Sequence, residues 1–396
     1  MEERLLKRMT AEAMEELTGN ILPYWVNRMP DMRLGGFYGR INGRDRVVAD
    51  APRGAILNAR ILWSFSAAYI KLNDPAYIAM ATRARDYIFI RFFDDMYGGT
   101  YWSLKSNGEP LETKKQVYSI AFFIYALSWY HMATGDRESL ERAVALYELI
   151  ERHSHDSVNG GYFEAFTREW GEIADLRLSE KDANEKKTMN THLHVLEAYT
   201  SLLRIWPDDG LRRQLGSLVR IFTDTIVDAA TGHLRLFFDE QWNCRSTAVS
   251  YGHDIEASWL LCEAAEALGE GDSVKGTALR IAAAAHEGLA GDGSLWYERD
   301  DARGHFDRDR HWWVQSEAVV GFLNAWQLSG DRSWMELAAA AFDYIASNLA
   351  DRQNGEWFWS IRDDGSVNRD DDKAGFWKCP YHNTRMCLEI SARYNK

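Results

Sequence analysis

Two segments carry an imidazole with a carboxylate three residues on: His194-Val195-Leu196-Glu197 and His253-Asp254-Ile255-Glu256. On a helix that spacing puts both groups on one face, where the carboxylate can fix one tautomer of the imidazole and raise its basicity. Alone, either pair reads as a polar helix start meeting solvent, but two copies in register in adjacent units point to a site. His192 stands about 200° around the helix from His194, so it reads as a structural residue. A third imidazole, His382, follows Trp377-Lys378-Cys379-Pro380-Tyr381, and a proline near a helix start marks a loop able to present Trp377 and His382 together. Tyr381 can equally be an aromatic plug. Asp370-Asp371-Asp372 reads as a solvated loop without calcium-ligand spacing. No phosphate-cradling, dinucleotide, zinc-protease or serine-hydrolase motif is present.

The elements that position these residues repeat. Gly36, Gly99, Gly161, Gly232, Gly293 and Gly355 each stand in a turn, at intervals of 63, 62, 71, 61 and 62 residues. Alternating residues after each turn, such as Phe37-Tyr38 or Trp357-Phe358-Trp359, read as short strands. Between turns the apolar residues recur at helical spacing, predicting helices over Ile56–Leu72, Val117–Ala133, Met189–Ile205 and His253–Leu268. A second helix follows each after a break such as Asn73-Asp74-Pro75 or Gly330-Asp331. Two helices per period predict about twelve in all. A helical hairpin cannot bury its apolar face alone, and neither end of the chain looks like a polar cap. The reading is therefore an all-α fold, an (α/α)6 barrel of six hairpins with short β-hairpin turns at one end, forming one domain over residues 1–396. A two-lobed helical protein is the weaker alternative. Closure would gather at one mouth the polar residues near each helix start: Asn58 and Arg60, Tyr118, Asn190 and His194, His253 and Glu256, Trp312, Trp313 and Glu317, His382 and Arg385.

Composition agrees with an enzyme of small polar ligands. The formal charge is −13 without a basic cluster, which argues against nucleic acid. No run of apolar residues is long enough to span a bilayer. Met1–Arg8 lacks the apolar core of a signal peptide, and Cys244, Cys262, Cys379 and Cys387 form no CxxC pair. Those features predict a cytoplasmic protein with reduced thiols. Sixteen Trp, 18 Tyr and 17 Phe provide the flat apolar faces on which a pyranose stacks.

The segments Lys187–Glu197, Ser250–Trp259 and Trp377–His382, with Asn58–Trp63 and Trp312–Val314, resemble the cellobiose 2-epimerase branch of the N-acylglucosamine 2-epimerase superfamily. The resemblance spans essentially the whole chain. It implies the same barrel and an isomerase that epimerises C2 of a reducing-end glucose without metal or cofactor. It places the catalytic histidines at His194, His253 and His382, and binding or supporting residues at Arg60, Tyr118, Asn190, Glu256, Trp313, Glu317 and Trp377. The protein is expected to act as a monomer on a small disaccharide such as cellobiose, mannobiose or lactose.

That chemistry suits the residue types. The open-chain aldehyde acidifies the C2 proton, and imidazole is the side chain whose ordinary pKa suits its removal and return. His253 and His382 are assigned as the acid/base pair, His382 also to ring opening, and His194 to the O1/O2 region. Arg60, permanently cationic, would face the enediolate oxygens. Four rivals remain: a monosaccharide 2-epimerase or mannose isomerase on the same barrel, a glycoside hydrolase using Glu256 and Glu317, a metal site built from the His/Glu set, and a sugar-binding module.

Overall fold

The computed structural model describes residues 2–394. Helix α1 (Glu2–Glu16) runs through a π turn at Leu17–Ile21 into α2 (Leu22–Arg28). There follow α3 (Ala55–Leu72), α4 (Pro75–Arg91), α5 (Val117–Thr134), α6 (Arg137–His153), α7 (Met189–Ile205), α8 (Asp209–Ile221), α9 (Tyr251–Leu268), α10 (Lys275–Ala285), α11 (Trp312–Ser329), α12 (Arg332–Tyr344) and α13 (Tyr381–Tyr394). The odd-numbered helices from α3 onward pack side by side in an inner ring, closed where α13 meets α3. Each inner helix has an outer partner, and α1 supplies the one for α13. The (α/α)6 barrel expected from the repeat is the observed fold.

Sequence decides which helix goes inside. Inner helix α5 is apolar around its whole circumference and is buried continuously from Val117 to Ser128, as a helix enclosed on all sides must be. Outer helix α8 buries Leu211, Leu215 and Leu218 on one stripe and exposes Arg212, Arg213 and Arg220. The inner-to-outer turns are tight. Asn73, Gly135, Gly269 and Gly330 close inner helices in the left-handed region, and Asp74, Asp136, Asp208 and Asp331 cap outer helices through their carboxylates.

The opposite end, at the N-termini of the inner helices, is stitched by strands of two or three residues. The strand before each inner helix pairs antiparallel with the next repeat: Gly54 with Ser103, Gln116 with Ala165, Thr188 with Phe237, Ser250 with Glu298 and His311 with Ser360. A bridge between Ile41 and Ala374 closes the circle. Buried ion pairs reinforce it: Arg53, Lys115, Lys187 and Lys373 reach back to Asp31, Asp94, Asp156 and Asp351, which shape the glycine turns. Each repeat also has a second left-handed residue at its hairpin tip: Asp45, Gly108, Trp170, Trp242, Gly304 and Gly365. Trp170 and Trp242 occupy that conformation despite their bulk. Their indoles donate to Tyr97 O and Asn159 O and lie over Gly99 and Gly161 of the preceding turn.

A Cβ on Gly161, whose φ is +77°, would stand 2.4 Å from the Trp242 ring and 2.7 Å from His192 Nε2. Gly135 has φ +75° and no neighbour within 4 Å. Gly135→Ala should therefore cost only the left-handed penalty of about 1–2 kcal/mol. Gly161→Ala should cost about 1–3 kcal/mol more through overpacking. Equal losses of melting temperature in the two variants would show that the Trp242 clasp carries no weight.

Candidate active site

The inner helices are in register, and this arranges the lumen in layers. Their second residues are Ile56, Tyr118, Asn190, Gly252, Trp313 and His382; the sixth residues of the first five are Arg60, Phe122, His194, Glu256 and Glu317. Positions four apart lie on one helix face, so the two sets form consecutive rings beneath the mouth. Below them come Trp63, Tyr125, Glu197 and Trp259, each three further along its helix.

Arg385 of α13 ties the charged members together. Its Nη1 donates to Glu197 Oε1 at 2.5 Å, and its Nη2 to Glu256 Oε1 at 2.5 Å and Glu317 Oε1 at 2.7 Å. Tyr381, fully buried, hydrogen-bonds both Arg385 and Glu197 Oε1, so it plugs the barrel under the site. Two of the carboxylates then orient imidazoles: His194 Nδ1 lies 3.0 Å from Glu197 Oε2, and His382 Nδ1 lies 2.7 Å from Glu317 Oε1. An Nδ1–H donated to a carboxylate leaves Nε2 as the basic nitrogen. Burial opposes ionisation of Glu197, yet Arg385 and His194 bring its carboxyl down to about 2. Burial, helped by Arg60 and Arg385, lowers His382 well below the ordinary imidazole value and keeps it neutral.

Arg60 crosses the lumen between the rings of Phe122 and Tyr381, at 4.3 and 4.7 Å from their centroids. Its Nη2 donates to the Tyr118 hydroxyl at 3.0 Å, and Nη1 stands 3.6 Å from Cys379 Sγ. Tyr118 and Phe122 enclose His194. Nearer the mouth, His253 Nδ1 meets Ser250 Oγ at 2.7 Å, and burial with the nearby His194 lowers its pKa to about 3. The Trp313 ring lies between two of the imidazoles, 4.9 Å from His253 and 5.6 Å from His382. It can do so because residue 252 is glycine; a Cβ there would stand 2.5 Å from the indole. A cavity of about 650 Å³ opens from His253, Ser250 and Asn190 toward Tyr297, His311 and Trp359. Asn190 Oδ1 is buried there without a partner, the condition of a polar atom awaiting a ligand. Half-buried Trp377 packs on Trp102, Phe376 and Tyr118 beside the lumen.

The structure thus gathers the residues singled out from sequence, with corrections to their partnerships. His194 and Glu197 form the expected pair. His253 and Glu256 do not: the Arg385 guanidinium takes Glu256, and His253, third in its helix, turns to Ser250. His192 is structural as expected, with Nδ1 on Thr188 O and Nε2 accepting the Tyr162 N–H. Asn58 faces away from the lumen and donates to Gly54 O. Asp370 and Asp371 are exposed as expected, but Asp372 is tied to Arg40. The central role of Arg385 and the Glu317–His382 pair were missed; the signal available was three carboxylates at inner-helix positions with one cation to meet them. Glu256, Glu317 and His382 present ligand atoms within 4.8 Å of one another. Arg385 already occupies both carboxylates, so this donor set is arranged around a guanidinium.

Comparison with known proteins agrees with this geometry. A curated cellobiose 2-epimerase of Bacteroides fragilis is 56% identical over 382 residues, covering 96% of this chain and 97% of its own. One from Ruminococcus albus is 40% identical, with 97% and 99% covered. The solved cellobiose 2-epimerase of Bacillus thermoamylovorans superposes with a TM-score of 0.94 at 39% identity, covering 98% of this chain and 100% of its own. The family model described as N-acylglucosamine 2-epimerase matches residues 36–385, from the first glycine turn to the arginine at the centre of the lumen, and the chain belongs to that family.

Proposed function

We propose that this chain is a carbohydrate 2-epimerase that converts the reducing-end glucose of a β-1,4-linked disaccharide to mannose, cellobiose to glucosyl-mannose. The observation that best supports the reading is the placing of two neutral imidazoles, His253 and His382, on either side of Trp313, with guanidinium and phenol donors deeper in the lumen. Similarity to the cellobiose 2-epimerases favours the disaccharide over a free monosaccharide. A glycoside hydrolase needs two carboxyl groups across the scissile bond. Glu256 and Glu317 instead accept from the same nitrogen of Arg385, which leaves no room for a glycosidic bond between them.

The reaction follows from these residues. His382, its Nδ1–H directed at Glu317, offers Nε2 for proton transfer during ring opening and at C2. One imidazole removes the C2 proton of the open-chain aldehyde, giving an enediolate. The other, protonated on Nε2 by exchange with solvent, returns that proton to the opposite face, and the first releases its proton to solvent. Arg60 and Tyr118 donate to the oxygens on which charge develops, and His194, held by Glu197, serves the O1/O2 region. Asn190, Trp313 and Trp377 hold the sugar, the two indoles by stacking. No step calls for metal or nicotinamide. We also read the chain as one catalytic domain, active as a monomer in the cytoplasm. Its apolar core runs from Leu6 to Ile390, and among the described residues the cysteines are unpaired. Among the described residues no helix is long and apolar enough to cross a membrane.

Incubated with cellobiose in heavy water, the protein should yield glucosyl-mannose with deuterium at C2 of the reducing sugar; free glucose would instead establish hydrolysis. His253→Ala and His382→Ala should each lower kcat by about 10²–10⁴-fold with the circular dichroism spectrum unchanged. Turnover like that of the unmodified enzyme in either variant would remove that residue from the pair. Trp377→Ala should raise KM and leave kcat nearly intact, since stacking area is lost and no proton donor. Because burial lowers His253, with a pKa of about 3, its basic form persists into acid. The acid limb of kcat/KM should therefore lie well below the ordinary imidazole value of about 6.5; a limb at that value would contradict its assignment as the base.

A further inference from the structure

Glu197, Glu256 and Glu317 share the one guanidinium of Arg385, and all four side chains are more than nine-tenths buried. The next cation is Arg60, on the Tyr118 hydroxyl. Three carboxyl groups face two guanidinium groups, and burial keeps His382 neutral. Burying a net charge is costly, and a single retained proton balances the count.

Hydrogen bonding indicates where that proton sits. Glu197 has donors on both oxygens: Arg385 and Tyr381 on Oε1, His194 on Oε2. Glu317 is likewise filled, with Arg385 and His382 on Oε1 and the Trp259 indole N–H on Oε2 at 3.0 Å. A proton on either would set an O–H against an existing donor. Glu256 accepts only from Arg385, on Oε1. Among the described residues the Arg385 contact on Oε1 is its hydrogen bond, and no donor reaches its Oε2. We propose that Glu256 carries the retained proton at neutral pH and presents Oε2–H to the sugar as a hydrogen-bond donor. Burial and the neighbouring Glu317 raise its pKa to about 7, in the same direction.

The groups surrounding it are Arg60 of α3, Tyr118 of α5, His194 and Glu197 of α7, Glu317 of α11, and His382 and Arg385 of α13. Its use rests on the epimerase reading: a neutral carboxyl beside the forming enediolate donates a hydrogen bond, where a carboxylate would repel the charge. The protonation state itself does not rest on that reading.

Infrared difference spectroscopy of the free protein tests the two separately. The spectrum of the unmodified protein minus that of Glu256→Gln at pH 6 should contain the carbonyl stretch of one protonated carboxyl, and the band should fade as pH rises through neutrality. Glu317→Gln removes the neighbouring charge that raises Glu256, so it should move the fading of the band to lower pH. Glu164, a buried carboxyl raised to about 8 by burial, gives its own band, which Glu164→Gln removes. Should Glu256→Gln fail to fold, Glu256→Asp, which keeps a carboxyl, should shift the band in frequency. A spectrum unaltered by Glu256→Gln and Glu256→Asp would overturn the assignment. Failure to epimerise cellobiose with the band present would defeat the epimerase reading alone.

Discussion

One guanidinium holds the centre of this barrel. Arg385 comes from the last inner helix, yet it holds carboxyl groups from α7, α9 and α11 within hydrogen-bond distance of its guanidinium. Two of those carboxylates orient His194 and His382. Breaking a buried pair by removing one partner leaves uncompensated charge, at a cost of about 3–5 kcal/mol; here three carboxyl groups depend on the same partner. The surrounding rings of Tyr381 and Trp259 lie 4.2 and 4.8 Å from the guanidinium carbon, which excludes water and strengthens each contact.

This arrangement separates two duties that a sugar epimerase must combine. Deep in the lumen, Arg60, Tyr118, Glu256 and Arg385 make a buried floor, where the proposed mechanism forms the oxyanion. Nearer the mouth, His253 borders the open cavity, where the proposal seats the second sugar. The stitched hairpins keep the inner-helix N-termini level, so that a residue's place in its helix sets its depth. Burial also keeps His253 and His382 in the basic form that the proposed proton abstraction requires.

Much of this was legible in the sequence because it is local. Met189–Ile205 carries its apolar residues at helical spacing, and the structure has the same bounds. The glycine turns stand out because positive φ selects glycine. The second ring of left-handed residues did not stand out, since Asp45, Trp170 and Trp242 hold that conformation without being glycine. The turn clamps were also hidden: Lys115 and Asp94, or Lys187 and Asp156, are distant in sequence and meet only when adjacent repeats dock. Pairing His253 with Glu256 failed for a related reason. Helical spacing reports which residues share a face and is silent on a cation arriving from another helix.

The seam between α1 and α13 has a consequence for how the protein is made. Helix α1, whose apolar face needs α13, is synthesised long before that partner, which begins at Tyr381. At about 5–20 residues per second, α1 waits roughly 20–80 s before it can be covered. Arg385 arrives later still, so the carboxyl groups of α7, α9 and α11 are made before the guanidinium that gathers them. Assembly of the lumen is thus deferred until the last inner helix has been made, and a chain truncated before residue 385 would leave those three carboxyl groups without their shared partner.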